Sequence, residues 1–141
     1  TTLSNIKRYV MDFKTVKYSI NKIIKNNNIT KKASEAVDRL KDKDGFVNIY
    51  RISNKKPSFE TLGWTTEKQT VLDWKIMEGD TNSKIYSAKI KPENVKYWDG
   101  MFNKSEIKIL EELGGDFTDY FKQDMEIIAD KFDSIKNIKS L

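Results

Sequence analysis

Ser105-Glu106-Ile107-Lys108-Ile109-Leu110 is the stretch whose reading decides the fold. Polar and apolar side chains alternate along it, the period of a strand with one face on a core and the other in solvent. On that reading Glu106 and Lys108 share one face while Ile107 and Ile109 share the other. Leu113-Gly114-Gly115 then supplies the closing turn.

Two upstream segments have the same character. FVNIYRIS, residues 46–53, is rich in β-branched and aromatic residues and reads as a strand with both faces largely apolar. KIYSAKI, residues 84–90, reads as another. Between them Thr65 and Thr66 precede EKQTVLDWKIM, a short helix that Thr66 can cap with Gln69 in the capping-box position. Asp44-Gly45 is a turn signal, and Pro92 ends the pairing or starts a helical turn.

Helical periods flank this centre. Leu3, Ile6, Val10, Phe13, Val16, Ile20 and Ile23 recur every three or four residues, predicting one long amphipathic helix that the asparagines 26–28 terminate. Thr30 then reads as the N-cap of a shorter helix burying Ala33, Val37 and Leu40. Downstream, Asp116 caps a stripe of Phe117, Tyr120, Phe121, Ile128, Phe132, Ile135 and Ile138. The expectation is one α+β domain over residues 1–141, a small, mostly antiparallel sheet with long N-terminal and C-terminal helices packed around it. Its sections are a helical 1–44, a β-rich 45–115 with one inserted helix, and a helical 116–141.

Composition narrows the chemistry. The chain has 141 residues, no Cys and no His. Disulfides, thiolate nucleophiles and imidazole catalysis or ligation are therefore excluded, and no metal site is expected. No apolar run approaches the roughly 20 residues that cross a bilayer, so no membrane partner is expected, and a Cys-free chain fits a reducing, cytoplasmic location. The net charge is +5. It is uneven: residues 1–44 carry 11 Lys/Arg against 5 Asp/Glu, and residues 111–141 carry 4 against 8. A basic arm attracts nucleic acid through phosphate contacts, although a solvated helix face explains the same lysines.

Arg51 is the candidate with most chemistry. On a central strand its guanidinium points into a partly buried place and needs a carboxylate or phosphate, because an unpaired buried charge is costly. Glu106 on a neighbouring strand is one possible partner. Thr65 and Thr66 serve equally as caps or as ligand contacts.

YRIS, then LGWTTEKQTVLDW, then KIYSAKIKPENVKYW, then SEIKIL with Gly114-Gly115 resembles the ADP-ribosyltransferase fold of the arginine–serine–glutamate class. The likeness covers roughly residues 46–115 and is closest to small forms found in phages and mobile elements. The resemblance implies that an arginine on an early strand contacts the phosphates of NAD. It implies too that a hydroxyl pair opening the next strand supports the nicotinamide side, and that the second acid of an acid-x-Glu strand steers the transition state. By position these are Arg51, then Thr65 and Thr66, then Glu106 in the first acidic place with Lys108 where the glutamate belongs. A unit charge about 4 Å from the sugar cation is worth roughly 4 kcal/mol at an effective dielectric near 20, so reversing its sign costs up to about 8 kcal/mol.

The expected function is thus a non-catalytic phage or mobile-element protein on a degenerate scaffold. It would bind and inhibit a host defence protein, by analogy an anti-CRISPR inhibitor of a type II RNA-guided nuclease, and need no cofactor. Its partner-binding candidates are Lys7, Lys14, Lys22, Lys25, Lys55, Lys56 and the loop aromatic Phe59. If Glu106 itself is the catalytic acid, the set Arg51, Thr65, Glu106 with Thr66 instead makes an active, NAD-using mono-ADP-ribosyltransferase that modifies a host protein. A basic nucleic-acid-binding module is the third reading.

Overall fold

In the computed structural model, the description covers residues 25, 32–78, 82–114 and 125–141. The elements are α1 (Ala33–Val37), β1 (Val47–Ser53), β2 (Trp64–Thr65), α2 (Lys68–Glu78), β3 (Lys84–Ile90), β4 (Val95–Trp98), α3 (Lys104–Gly114), β5 (Glu126–Ala129) and β6 (Lys136–Ser140). Among the described residues the strands form one sheet in the order β4-β5-β2-β1-β3-β6, antiparallel at every pairing.

β1 organises the sheet. It pairs with β3 without a break from Val47↔Ile90 to Ser53↔Lys84, and with β2 at Tyr50↔Thr65. Its β-branched residues bury on both sides: Val47 and Ile49 on one face, Ile52 on the other. The larger core joins Val47, Ile49, Trp64, Ala88, Ile90, Trp98 and Ile127 to Ala33 and Val37 of α1. Each of the Val and Ile side chains among them contributes about 1.5–3 kcal/mol on full burial. α2 packs against β1, β2 and β3.

The turn into β1 follows from Asp42-Lys43-Asp44-Gly45. Asp42 Oδ1 accepts the N–H groups of Asp44 (2.9 Å) and Phe46 (3.1 Å), and Gly45 takes φ +88°, which a side chain would resist. Lys89 Nζ, 3.2 Å from Asp42 Oδ2, ties the turn to β3.

The largest departure from the sequence reading is at Ser105–Leu110, which is helix, inside α3. Asn103 caps it: its Oδ1 accepts the Glu106 N–H and Glu106 Oε1 accepts the Asn103 N–H, both at 2.9 Å. This reciprocal pair is a capping box, and Lys, Glu and Leu are good helix formers. Half-buried Ile107 packs on the core, whereas Lys108 is exposed.

The helix expected over 116–141 is also overturned where the chain is described. Residues 126–140 make β5, a helical turn at Phe132–Ser134, and β6. All four residues of β5 are buried, so Glu126-Ile127-Ile128-Ala129 has no period to read and takes the extended state its β-branched residues favour. Asp130 closes the strand, its Oδ1 accepting the Lys131 N–H (2.7 Å) and the Ser134 hydroxyl (2.6 Å). The helix expected over Leu3–Ile23, the cap at Thr30 and the stripe Phe117–Phe121 lie outside the described residues. The architecture is therefore α+β around a six-stranded antiparallel sheet, with three short helices among the described residues and no long C-terminal helix.

Smaller differences have local causes. Ala33 and Val37 are buried as expected, but α1 tightens into a 3-10 turn over Asp38–Leu40 that leaves Leu40 exposed. Val95–Trp98 forms an additional strand after the turn at Pro92–Asn94. Gln69 does not complete a capping box with Thr66; its amide donates to Asp73 at 2.8 Å.

Candidate functional site

Three residues in register cross the sheet: Tyr50 of β1 faces Thr65 of β2, and Thr65 faces Glu126 of β5. Directly paired residues of an antiparallel sheet share a face, so their side chains form one row. Glu126 and Thr65 are both fully buried.

Arg51, the residue after Tyr50 in β1, alternates onto the opposite face of the sheet from this row. Its Nη1 donates to the Leu62 carbonyl, and its Nε is buried with no hydrogen-bond partner among the described residues. Burial pushes the guanidinium below its ordinary pKa, while the charges of Glu60 and Glu126 act in the opposite sense. Glu60 belongs to the same electrostatic group. Burial raises its pKa, but the N–H groups of Phe59 and Ser58 and the Arg51 charge outweigh that and leave it lowered. Trp64 Nε1 donates to the Glu60 carbonyl at 2.9 Å, fastening the segment that Arg51 reaches.

The start of β5 is held from two sides. Met125 takes φ +46°, the left-handed region, at a cost of about 1–2 kcal/mol for a residue with a side chain. Its carbonyl accepts the Thr66 N–H (3.1 Å), the Thr65 hydroxyl (3.2 Å) and the Thr66 hydroxyl (3.4 Å). Trp98 Nε1 donates to Thr66 Oγ1 at 3.1 Å, and the Glu67 N–H to Thr65 Oγ1 at 3.1 Å. On the other side the Glu126 N–H donates to Asp99 Oδ2 at 2.9 Å, and Asp99 is buried too. The Tyr97 hydroxyl is pushed well above its ordinary pKa, first by burial, then by the charge of Asp99 and the hydrogen bond to it, and last by the charge of Glu126.

This geometry redistributes the expected site residues. Thr65 and Thr66 come together at the Met125 carbonyl, whereas Arg51 alternates onto the other face of β1 and reaches the Leu62 carbonyl. Glu106 does not join them, because its carboxylate is engaged in capping α3. Lys108 stands on the exposed side of that helix and so occupies no acidic position of a strand. Lys7, Lys14 and Lys22 lie outside the described residues, while Lys25, Lys55 and Lys56 are exposed and Phe59 is 75 % exposed. Glu126, Asp99 and Tyr97 are the residues that sequence reasoning missed. Their one signal is Asp124-Met125-Glu126, an acid-x-Glu immediately before a β-branched run.

Elsewhere, an open depression of about 630 Å³ lies beside α1 and the Pro92 turn, where Glu35, Asp38, Glu93, Lys41 and Lys91 give it mixed charge. Among the described residues no group of three or more acidic side chains is arranged to hold a metal ion, and no helix is long and apolar enough to cross a membrane. Comparison with protein-family models, curated proteins and solved structures finds no match.

Proposed function

We propose that the chain is an NAD-dependent ADP-ribosyltransferase whose site comprises Arg51, Thr65 and Glu126. The row that sets Thr65 against Glu126, with the Arg51 charge near enough to interact with that of Glu126, carries this reading. It follows the order that the family resemblance implies: an arginine on an early strand, a hydroxyl pair opening the next, and an acid-x-Glu on a later one. Asp124-Met125-Glu126 supplies that last motif. The support for a degenerate, inhibitory scaffold was small size, a Lys/Asn-rich composition and a lysine in the acidic position; of these, the last loses its footing because Lys108 is not on a strand.

The chemistry asked of the site is breakage of the bond between nicotinamide and the ribose C1′. The bonding pair leaves with nicotinamide, and an acceptor side chain or water bonds to C1′ and releases a proton. A Glu126 carboxylate beside the developing sugar cation stabilises it by roughly 4 kcal/mol at about 4 Å and an effective dielectric near 20. Arg51 suits the diphosphate: it is a desolvated cation with a donor, Nε, not engaged among the described residues. Glu126 is fully buried, so a dinucleotide reaches it only when side chains above it move.

The experiment is to incubate the purified chain with NAD labelled in the nicotinamide and, separately, in the adenylate. Release of nicotinamide and label transfer to protein of a bacterial extract support the proposal when both disappear in Glu126→Gln. Tight, stoichiometric binding of a protein target with no use of NAD would overturn it in favour of an inhibitor.

A further inference from the structure

The mechanism above assigns a role to the Glu126 side chain but not to what fixes its backbone. Glu126 follows a residue in the left-handed region, Met125 at φ +46°, and no glycine relieves that position. The conformation persists because the carbonyl before Glu126 and the N–H of Glu126 are both held. Thr65 and Thr66 hold the carbonyl, and Asp99 holds the N–H at 2.9 Å, from 27 residues away in sequence. Asp99 and Glu126 are 1 % and 0 % exposed, so water does not replace this bond readily. Closure of the sheet does not need this bond, because β4 and β5 already pair at Val95↔Ala129, Tyr97↔Ile128 and Trp98↔Ile127.

We infer that Asp99 is a positioning residue of the transferase site, acting through the Glu126 backbone to set where the carboxylate stands. This rests on the transferase reading. It extends that reading because Asp99 lies in the 3-10 turn at Asp99–Met101, outside the arginine, hydroxyl and acid-x-Glu motifs. A displacement of Glu126 by about 1 Å is enough to lower turnover by roughly 10²-fold without changing how the dinucleotide is held.

The test compares Asp99→Ala with Asp99→Asn in the full chain. The asparagine keeps an oxygen that accepts the Glu126 N–H and loses only the charge. Asp99→Ala is expected to lower kcat for nicotinamide release at least about tenfold with KM for NAD little changed, and Asp99→Asn to recover most of that loss. Hydrogen exchange of the Glu126 amide should quicken in Asp99→Ala and stay protected in Asp99→Asn. Should Asp99→Ala not fold, Asp99→Ser, whose shorter side chain falls short of the Glu126 N–H, asks the same and is expected to lower kcat with KM for NAD little changed. Undiminished kcat in Asp99→Ala, equal loss in Asp99→Ala and Asp99→Asn, or a loss confined to KM would overturn the positioning role. Absence of nicotinamide release in the wild-type chain would overturn the transferase reading itself, and this inference with it.

Discussion

Asn103 and Glu106 offer a test of the fold at the point where sequence and structure diverge. Asn103→Ala removes the oxygen that accepts the Glu106 N–H, and Glu106→Ala removes the carboxylate that accepts the Asn103 N–H; each bond is 2.9 Å long. An N-cap substitution of this type costs about 0.5–2 kcal/mol. Asn103 is exposed and Glu106 half-buried, so water replaces part of what is lost and about 1 kcal/mol is expected for Asn103→Ala. Glu106→Ala also removes a negative charge from the first turn of α3, worth about 0.3–1 kcal/mol against the helix dipole. For a chain of this size 1 kcal/mol lowers Tm by roughly 3–5 °C. Urea unfolding followed by circular dichroism measures both variants, and the double variant should show a coupling of about 0.5 kcal/mol or more because the two bonds form one motif. Nicotinamide release should persist in each. Unchanged stability together with abolished nicotinamide release in Glu106→Ala would refute the reasoning, since that is what a strand-borne catalytic Glu106 requires.

Other perturbations test separate parts. A Cβ on Gly100 would stand 2.6 Å from Trp98 Cη2 and 2.7 Å from Met125 Cε, so Gly100→Ala should cost about 1–3 kcal/mol and lower Tm measurably. Tyr97 has a folded pKa raised above its unfolded value near 10, so the stability it contributes is complete below about pH 10 and falls as pH rises toward the folded pKa. Unfolding measured between pH 8 and about 12 should show a shallower alkaline decline in Tyr97→Phe. Arg51→Lys should weaken NAD binding by about tenfold or more in calorimetry while the chain stays folded, because an ammonium cannot reproduce the guanidinium fork.

The legible parts of the fold are those where one local signal stood alone. FVNIYRIS and KIYSAKI are β-branched, flanked by turns, and are strands; Asp44-Gly45 is a turn because only glycine suits φ +88°. Ser105–Leu110 carries two compatible patterns, since Ile107 and Leu110 are also three residues apart, and six residues do not separate a strand from a helix. The deciding signal was Asn103 three residues before Glu106, a cap that the alternation concealed. Glu126 was hidden for another reason. A carboxylate opening a strand buried on both faces contradicts local hydrophobic patterning, and only the tertiary partners Thr65, Asp99 and Arg51 make its position intelligible. Arg51, Thr65 and Thr66 were thus singled out from the chain, whereas Glu126, the acid of the proposed site, was not.

The most direct measurement of the central claim is the rate of nicotinamide release from NAD by the wild-type chain beside Glu126→Gln and Lys108→Glu. A measurable wild-type rate, a fall of about 10²–10³ in Glu126→Gln and no change in Lys108→Glu are expected. A silent wild-type chain that gains turnover only as Lys108→Glu would contradict the account.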